Sequence, residues 1–334
     1  MTAVRPPLDP DQPPTFDDVM DAADRLDEVA VRTPLIESPA LNERVGGRVL
    51  MKAETLQRAG SFKFRGAFNR ISRLSDEEGA RGVVAFSSGN HAQGVAAAAR
   101  LMQAPAIIVM PSDSPAVKVA GVRAFGGQVR MYDRWTESRE DIAAEIARER
   151  GCVLVPPFDD PYVIAGQGTV GLELFTQAGN TVVDQLLCGA SGGGLLAGIN
   201  LAAEAMSPET QAWVVEPAAF DDHRRSLEAG ERTGHPAGAP SFCDALMAPM
   251  PGVLTFPVNR ERLSGGLTVT DAEVAAAMRF AFSALKLVVE PGGAVSLAAV
   301  LSGKIETRDR TTAIVLSGGN VDPALFAAVV EDRW

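Results

Sequence analysis

A lysine between two phenylalanines is the first residue in this chain whose surroundings suggest chemistry. In the stretch AGSFKFRGAFNRI, Lys63 lies between Phe62 and Phe64, directly after a Gly-Ser pair, and the later apolar residues have helical spacing. Desolvation by the two rings would lower the lysine pKa and leave a neutral amine that can form a Schiff base with an aldehyde. A surface lysine whose stem lies along apolar neighbours is the simpler alternative on this stretch alone, so other segments have to decide.

A run of small and polar residues follows the next apolar segment. In FSSGNHAQGVA, Phe86 to Ala96, a predicted strand leads into Ser-Ser-Gly-Asn-His and then into a helix. Hydroxyl, amide and backbone N–H groups at the start of a helix can hold a carboxylate or a phosphate. Ser88 or Asn90 alone would be enough for an ordinary helix cap, so five such residues in a row favour an anion-binding loop.

A glycine-rich turn in LLCGASGGGLLAGI is compatible with three kinds of ligand site. Gly192-x-Gly194-x-x-Ala197 matches the dinucleotide fingerprint, and Glu216 lies about where a ribose-binding acid belongs. The overlapping G-x-S-x-G pattern matches the nucleophile elbow of a hydrolase. A glycine-dense loop that opens a helix can also hold a single phosphate with its backbone N–H groups.

Residues elsewhere weigh against two of these interpretations. A hydrolase of this type needs an acid and then a histidine after its serine, but after Ser191 the chain has only His223 and His235. The dinucleotide interpretation gives no role to Lys63 or to the Ser-Ser-Gly-Asn-His run. A nucleotide-binding protein that uses the glycine loop therefore remains as the alternative from a different functional class.

A third strand end, in AIVLSGGNVD, delivers Ser317 and two glycines. A neutral hydroxyl there can hydrogen-bond a buried heteroatom of a ligand, or it can cap the last helix. Ligands of parallel α/β sheets bind beyond the carboxyl ends of the strands, so the segments after the strands are the ones to compare.

Composition excludes several classes of function. The 334 residues include 42 acidic and 31 basic side chains, a net charge of -11, which disfavours broad attraction to nucleic acid or anionic lipid. The three cysteines, Cys152, Cys188 and Cys243, form no C-x-x-C pair and suggest neither a disulfide framework nor a zinc site. The N-terminal segment has no apolar signal region, and we expect a soluble cytoplasmic protein.

The apolar pattern predicts an α/β fold with two largely parallel sheets. Thr15 can cap a helix with Val19, Ala22, Leu26 and Val29 on one face. Short β-rich runs then alternate with alanine-rich amphipathic segments. These runs are RVLMKA, GVVAFS, PAIIVMP, GQVRMY, CVLVP, DQLLCG, AWVVEP and TTAIVLSGG.

So many strand units predict two domains instead of one short sheet. We expect a flexible arm at 1–15, a large domain formed by 16–80 and 156–334, and a small inserted domain at 81–155. The loop from Glu228 to Phe242 is rich in Gly and Pro, which predicts a mobile segment or the lining of an entrance.

Taken together, the motifs SFKFRGA, SSGNHAQG, SGGGLLAG and LSGGN resemble those of the fold type II pyridoxal-phosphate (PLP) enzymes, in the same order. The branch is the one that contains threonine and serine dehydratases, serine racemase and 3-hydroxyaspartate dehydratase, and the resemblance covers nearly the whole chain. It implies a tryptophan synthase β-like fold and a homodimer.

The resemblance also implies the cofactor site. Lys63 would form the Schiff base, Phe62 would pack beside the ring, Asn90 would contact the ring hydroxyl and Ser317 would face the pyridine nitrogen. A hydroxyl does little to keep that nitrogen protonated, which suits elimination. The phosphate would be bound by Ser191, Gly192, Gly193, Gly194 and Leu195, although Ser191 stands where many relatives have a further glycine.

For the substrate, the resemblance implies that its carboxylate binds the loop Ser87, Ser88, Gly89, Asn90 and His91. Ser88 also matches a second acid or base opposite Lys63 in the racemases, or it only binds the carboxylate. Arg139 matches an arginine near the distal end of the substrate in the racemase and hydroxyaspartate group. A helix-surface ion pair is its alternative role.

The segment VVEPAAFDDH matches a divalent-cation site of the racemase group, with Glu216, the carbonyl of Phe220 and Asp222 as ligands for Mg²⁺ or Ca²⁺. The expected activity is β-elimination from L-threonine or L-serine to a 2-oxo acid and ammonia. The alternatives are an L-threo-3-hydroxyaspartate dehydratase and a serine racemase.

Overall fold

The computed structural model describes residues 6–114, 116–235 and 241–334. Residues 1–5 of the expected arm and residues 236–240 of the expected entrance loop lie outside this description. The strands within these ranges are β1 (Leu35–Glu37), β2 (Arg48–Ala53), β3 (Val83–Phe86), β4 (Ala106–Pro111), β5 (Gln128–Tyr132), β6 (Val153–Leu154), β7 (Gln185–Gly189), β8 (Gln211–Pro217), β9 (Leu263–Val269) and β10 (Thr311–Leu316).

The α-helices alternate with these strands. They are α1 (Phe16–Leu26), α2 (Pro39–Val45), α3 (Lys63–Ile71), α4 (Asp76–Arg81), α5 (Asn90–Leu101), α6 (Ala116–Ala124), α7 (Arg139–Arg150), α8 (Pro161–Ala178), α9 (Gly194–Met206), α10 (Asp222–Ala229), α11 (Thr255–Arg262), α12 (Asp271–Phe280), α13 (Pro291–Leu301) and α14 (Pro323–Val330). Among the described residues, no helix is long and apolar enough to span a membrane.

The strands form two sheets, which confirms the predicted α/β architecture. The large sheet has the order β1-β2-β10-β7-β8-β9, and the small sheet has the order β5-β4-β3-β6. Every neighbouring pair is parallel except β1 with β2. Parallel strands present their carboxyl ends at one edge, so the segments that follow β7 and β10 meet beyond the large sheet, and those after β3, β4 and β5 meet beyond the small one.

All eight predicted β-rich runs contain a strand, but the sequence analysis missed β1 and β9. β1 has only three residues, and the apolar run of β9 is interrupted by Gly265 and Gly266. The side chain of Trp213 and the stem of Arg224 occupy the space that a Cβ would need at these two glycines. Close packing therefore explains glycines that hide the strand from a hydrophobicity pattern.

The first helix follows its prediction except at its end. Thr15 and Asp18 form a reciprocal cap, and Val19, Ala22 and Leu26 are buried. α1 ends at Leu26, so Val29 lies in the following turn and does not extend the helical face as predicted.

The two largest apolar clusters of the described residues pack against different sheets. One surrounds α13 and the large sheet, and the other combines β3 and β4 with α5 and with Phe64, Phe68 and Ile71 of α3. The helix that begins at Lys63 therefore packs against the small-sheet core although it precedes residue 81. The domain boundaries stay a prediction.

Candidate active site

Lys63 is fixed to the end of β10. The segment before it pairs with the segment after that strand, through a bridge between Ser61 and Gly318 and a 3.1 Å bond from the Phe62 N–H to the Ser317 carbonyl. On the other side, a Cβ on Gly94 would lie 3.0 Å from the carbonyl carbon of Lys63, so a glycine in α5 is needed for this close approach. The start of α3 is thus held between the end of β10 and helix α5.

A buried ionic network joins Arg65 of the same helix to residues of three other segments. Arg65 donates to both carboxylate oxygens of Glu54 at 2.8 Å and to Glu173 at 2.7 Å, and Lys52 donates to Glu173 at 2.6 Å. The four charges cancel, which offsets the cost of burying them. Loss of one partner would leave a buried charge two residues from Lys63.

The Lys63 side chain is half-buried and largely desolvated at its amine. Nζ donates to the Pro157 carbonyl at 2.6 Å and lies 5.1 Å from the centre of the Phe62 ring. Desolvation lowers the pKa of this amine to about 7. A substantial fraction is therefore neutral near pH 7, as a nucleophilic amine requires.

The glycine loop between β7 and α9 can only be formed by residues without a side chain. A Cβ on Gly192 would lie 2.3 Å from the ring of Phe158. Gly193 has φ +90° and a Cβ there would meet His223 at 2.6 Å. Sterics thus explain consecutive glycines that a simple turn would not need.

The carbonyls of this loop point into the protein. His223 Nε2 contacts the Ser191 carbonyl at 2.8 Å, Thr255 Oγ1 donates to Gly192 at 2.5 Å, and Asn259 donates to Gly193 at 3.2 Å. Burial lowers the pKa of His223 to about 4, so its ring is neutral. Among the described residues, the backbone N–H groups of 192–195 have no protein acceptor. The loop therefore offers several free donors at a helix N-terminus, as a phosphate requires.

The geometry disagrees with the two competing interpretations of this loop. Ser191 Oγ accepts from the Ala248 N–H at 3.0 Å, and the nearby His223 contacts the serine carbonyl instead of the hydroxyl. Glu216 is fully buried and accepts from the N–H groups of His223 and Arg224 at 2.8 and 2.9 Å. It cannot turn outward to bind a ribose.

Asn90 lies at the centre of a buried polar cluster. Its Nδ2 donates to Glu290 Oε1 at 2.5 Å, and its Oδ1 accepts from Asn320 at 2.8 Å. Burial raises the pKa of Glu290 to about 7, although the Asn90 amide opposes this shift. A Cβ on Gly318 would lie 2.0 Å from the Glu290 carboxylate, so this cluster reaches the backbone beside the half-buried Ser317.

A polar cavity of about 40 Å³ lies at the carboxyl edge of the small sheet. Its lining residues are Ser87, Ser88, Val109, Pro111, Tyr132, Arg134 and Arg139. The guanidinium of Arg139 lies 5.3 Å from the centre of the Phe86 ring, and its Nε donates to Glu140 at 2.7 Å. The structure thus brings together Ser88 and Arg139, which are far apart in sequence. No motif in the sequence predicted Arg134 as part of this cavity.

His91, the last residue of the predicted carboxylate loop, points elsewhere. Its ring is buried, and Nε2 contacts the Val155 carbonyl at 2.9 Å. Burial and then the charge of Lys63 lower the pKa of His91 to about 3. The side chain stays neutral and joins α5 to the end of β6. Only the backbone of His91 therefore remains to contact a substrate carboxylate. The same holds for Gly89, whose N–H donates to Ser87 Oγ at 3.1 Å.

The predicted metal ligands form a buried acidic group. Asp222 is buried, its Oδ2 has no partner, and burial raises its pKa to about 7. Burial and the charge of Asp222 raise the pKa of Glu216 well above its usual range. In the described ranges no cluster of three His, Cys, Asp or Glu side chains could hold a metal. The predicted ligand set is of a different kind, because its third member is the backbone carbonyl of the buried Phe220 beside two carboxylates. Oxygen ligands of this type fit a divalent cation.

Comparison with known proteins decides the family. The family model described as "Pyridoxal-phosphate dependent enzyme" matches residues 26–318. The chain belongs to this family. The fold type II PLP enzymes of the threonine and serine dehydratase and serine racemase group are its relatives, and PLP is its cofactor.

Three relatives show the range within this family. The L-threo-3-hydroxyaspartate ammonia-lyase of Pseudomonas sp is 45% identical over 95% of this chain and 98% of its own length. A solved threonine deaminase from T.th. is also 45% identical, covers 92% and 99% of the two chains and has a TM-score of 0.87. Maize serine racemase is 38% identical, with coverage of 96% and 98% and a TM-score of 0.90.

Four residues of the candidate site carry no assigned role in the sequence: Phe158, Arg134, Glu290 and Asn320. Glu290 precedes a proline at the start of α13 and looks like a helix cap in the sequence, and Asn320 was quoted in LSGGN without a role. Phe158, which forms the wall against the glycine loop, has no local signal. Arg134 was one arginine among several in a charged segment.

Proposed function

We propose that this PLP enzyme is an ammonia-lyase for a β-hydroxy amino acid with a second carboxylate, and that L-threo-3-hydroxyaspartate is its substrate. One observation carries this proposal: Arg139 lines the same cavity as Ser87 and Ser88. A guanidinium binds a carboxylate bidentately, but it gains no such partner from the methyl group of threonine or the hydrogen of serine. The relative of Pseudomonas sp supports the same choice. The initial expectation of threonine or serine is not confirmed.

The chain's own groups fit the cofactor. The unpaired N–H groups of 192–195 would hold its phosphate, Lys63 would attach to its aldehyde, and Asn90 and Ser317 would meet the ring hydroxyl and the ring nitrogen. When bound, PLP supplies an electron sink that acidifies the α-carbon of the amino acid.

The remaining steps follow from the positions of protein groups. The N–H groups and hydroxyls at Ser87 to Asn90 hold the α-carboxylate at the start of α5, and Arg139 holds the distal one. The amine of Lys63, with its pKa of about 7, can accept the α-proton at Nζ near neutral pH. The β-hydroxyl then leaves as water with a proton that the Lys63 ammonium can return. The released enamine takes up a water molecule and gives a 2-oxo acid and ammonia.

The test compares 2-oxo acid release from L-threo-3-hydroxyaspartate, L-threonine and L-serine. We expect the first substrate to have the highest kcat/KM. Arg139→Gln should lower the ratio of its kcat/KM to that of serine by about 100-fold, because truncation of one partner of a charged pair costs about 2–5 kcal/mol. Arg148→Gln, on the same helix and exposed, is the matched control. A lead for threonine or serine, with no effect of Arg139→Gln, would make Arg139 a surface residue.

Serine racemisation is the second candidate, supported by the Ser88 hydroxyl in the same cavity. A residue that exchanges a proton on the face opposite Lys63 would allow inversion as well as elimination. One enzyme can catalyse both reactions. The amounts of D-serine and 2-oxo acid that the Ser88→Ala variant forms from L-serine distinguish the two roles.

We also propose that Glu216, Phe220 and Asp222 bind Mg²⁺ or Ca²⁺. The unpartnered buried Oδ2 of Asp222 supports this site. Millimolar Mg²⁺ should raise the Tm of the protein by about 3 °C. Asp222→Asn should abolish the response, and Asp24→Asn, an exposed residue of α1, should keep it. Equal responses in both variants would contradict the site. The homodimer stays a prediction, to be checked by light scattering.

A further inference from the structure

Arg134 is the second guanidinium that lines the polar cavity, and neither the motifs nor the proposed function assign it a role. It follows β5 by two residues, in a turn with several internal hydrogen bonds. Asp133 N–H donates to Glu137 at 2.7 Å, and Trp135 N–H donates to Asp133 at 2.9 Å. The backbone that carries Arg134 is therefore ordered although its side chain is partly exposed.

The guanidinium of Arg134 is only partly satisfied by the protein. Its Nε and Nη2 donate to the same oxygen of Asp113, at 3.0 and 2.7 Å. Among the described residues, Nη1 has no acceptor. An arginine has five N–H donors, so further donors remain for a second anion.

The charge of the cavity favours such an anion. Its seven lining residues include two arginines and no carboxylate, although the whole chain has a net charge of -11. The acidic partners, Asp113 of Arg134 and Glu140 of Arg139, do not line the cavity, and their side chains are 56% and 55% exposed. Exposed pairs of this kind contribute about 0–1 kcal/mol, so a carboxylate inside the cavity can replace them at little cost.

We propose that Arg134 is a further specificity-determining residue that binds the distal carboxylate of the substrate together with Arg139, and that Asp113 competes with the substrate for it. This inference rests on the proposed function, because it needs a dicarboxylic substrate. Two guanidiniums select for a distal carboxylate more strongly than a single guanidinium does. A substrate with a neutral distal group would leave Arg134 and Arg139 beside an unfilled polar cavity.

The probe is succinate, which has two carboxylates at the spacing of hydroxyaspartate but no amine, so it cannot react with the cofactor. Butyrate is its match with one carboxylate. On the holoenzyme, Arg134→Gln should raise the inhibition constant of succinate about 10-fold and that of butyrate much less. Asp113→Asn should lower the constant of succinate about 2–3-fold, because it removes the competing anion. Arg148→Gln, exposed on α7 and outside the cavity, should change neither.

The opposite signs of the two variants separate the proposal from a structural ion pair between the ends of β4 and β5. If the pair only held these ends together, Arg134→Gln and Asp113→Asn would change the succinate constant in the same direction, which would overturn the proposal. Failure of the proposed function looks different, since Arg139→Gln would then also leave the preference for succinate over butyrate unchanged. An effect of Arg139→Gln with none of Arg134→Gln would refute the inference alone.

Discussion

The two sides of the proposed active site, the proposed cofactor side and the proposed substrate side, are built in different ways. The cofactor side is formed by backbone and buried side chains, and there Asn90 and Glu290 are 9% and 3% exposed. The substrate side is formed by long side chains beyond the small sheet, and the side chains of Arg134 and Arg139 are 42% and 43% exposed. On the cofactor side, an added Cβ at Gly192, Gly193 or Gly318 would clash with neighbouring atoms. On the substrate side, the two arginines pair with exposed acidic side chains.

This difference predicts that substitutions are tolerated on the substrate side and not on the cofactor side. A phosphate and a ring would be bound by main-chain N–H groups and packed side chains, so that changes there would disturb the core. A distal substituent would be bound by side chains whose ion pairs are weak, so their replacement would cost little stability. Relatives named for three different amino acids at 38–45% identity are consistent with this division.

The largest expected effect is on the cofactor side, at Lys63. Lys63→Ala should lower kcat by about 10⁴-fold or more, because the variant loses both the covalent attachment and the base. Borohydride should no longer attach the cofactor to the protein, which mass spectrometry would detect. Lys304→Ala, an exposed lysine paired with Glu273, is the control. Retained turnover in Lys63→Ala would refute the assigned role.

The next effect concerns the glycine loop. Gly192→Ala should weaken cofactor binding at least about 10-fold, because the new Cβ would lie 2.3 Å from the Phe158 ring. Gly79→Ala in α4 is the matched control, since no atom lies within 4 Å of its added Cβ. That variant should be slightly stabilised. Equal cofactor affinity of the two variants, measured by equilibrium dialysis, would show that backbone geometry does not determine phosphate binding here.

The same contrast explains what the sequence could predict. The strand ends, the glycine loop and Lys63 have local signals, because periodicity, consecutive glycines and flanking aromatics are contiguous in the chain. Partners that meet only after folding have none. Glu290 and Asn90 are 200 residues apart, and Asn320 is 230 residues from Asn90.

The substrate side was predictable only in part. The resemblance pointed to Ser88 and Arg139, but Arg134 enters the cavity because β4 and β5 are neighbours in the small sheet. Strand β9 was missed because its glycines, Gly265 and Gly266, satisfy close packing against Trp213 and Arg224 instead of a hydrophobic pattern. Both Arg134 and the glycines of β9 thus depend on contacts between residues that are distant in the chain. Such tertiary contacts leave no local pattern in a single sequence.

A pH experiment at Glu290 tests how strongly the cofactor side is desolvated. Burial raises the pKa of Glu290 from 4.5 to about 7, while Asp244 raises it and Lys118 lowers it to a smaller extent. The fold therefore favours the protonated form. Its stabilising contribution is complete below about pH 4.5 and is lost as the pH rises through 7, which amounts to about 3 kcal/mol.

Glu290→Gln should remove this dependence. In the cofactor-free proteins, the free energy of unfolding of the wild type should fall relative to the variant by about 3 kcal/mol between about pH 4.5 and pH 8, as measured by urea denaturation. The other buried acids titrate in both proteins and cancel in the difference. Parallel curves would mean that Glu290 is solvated, and the cofactor side would then be less distinct from the substrate side.

The last expected effect is a change at Ser88, on the proposed substrate side, in the ratio of racemisation to elimination. Inversion of L-serine needs a group that returns a proton on the face opposite Lys63, whereas elimination needs only the amine of Lys63. Ser88→Ala should therefore lower D-serine formation about 30-fold and 2-oxo acid release less than about 5-fold, when both products are measured in one reaction. Ser87→Ala is the matched control. Its hydroxyl accepts the Gly89 N–H at 3.1 Å, so its loss loosens the whole loop and should reduce both products together. A parallel decrease in Ser88→Ala as well would show that Ser88 only binds the carboxylate, and a wild type that forms no D-serine would exclude inversion at this site.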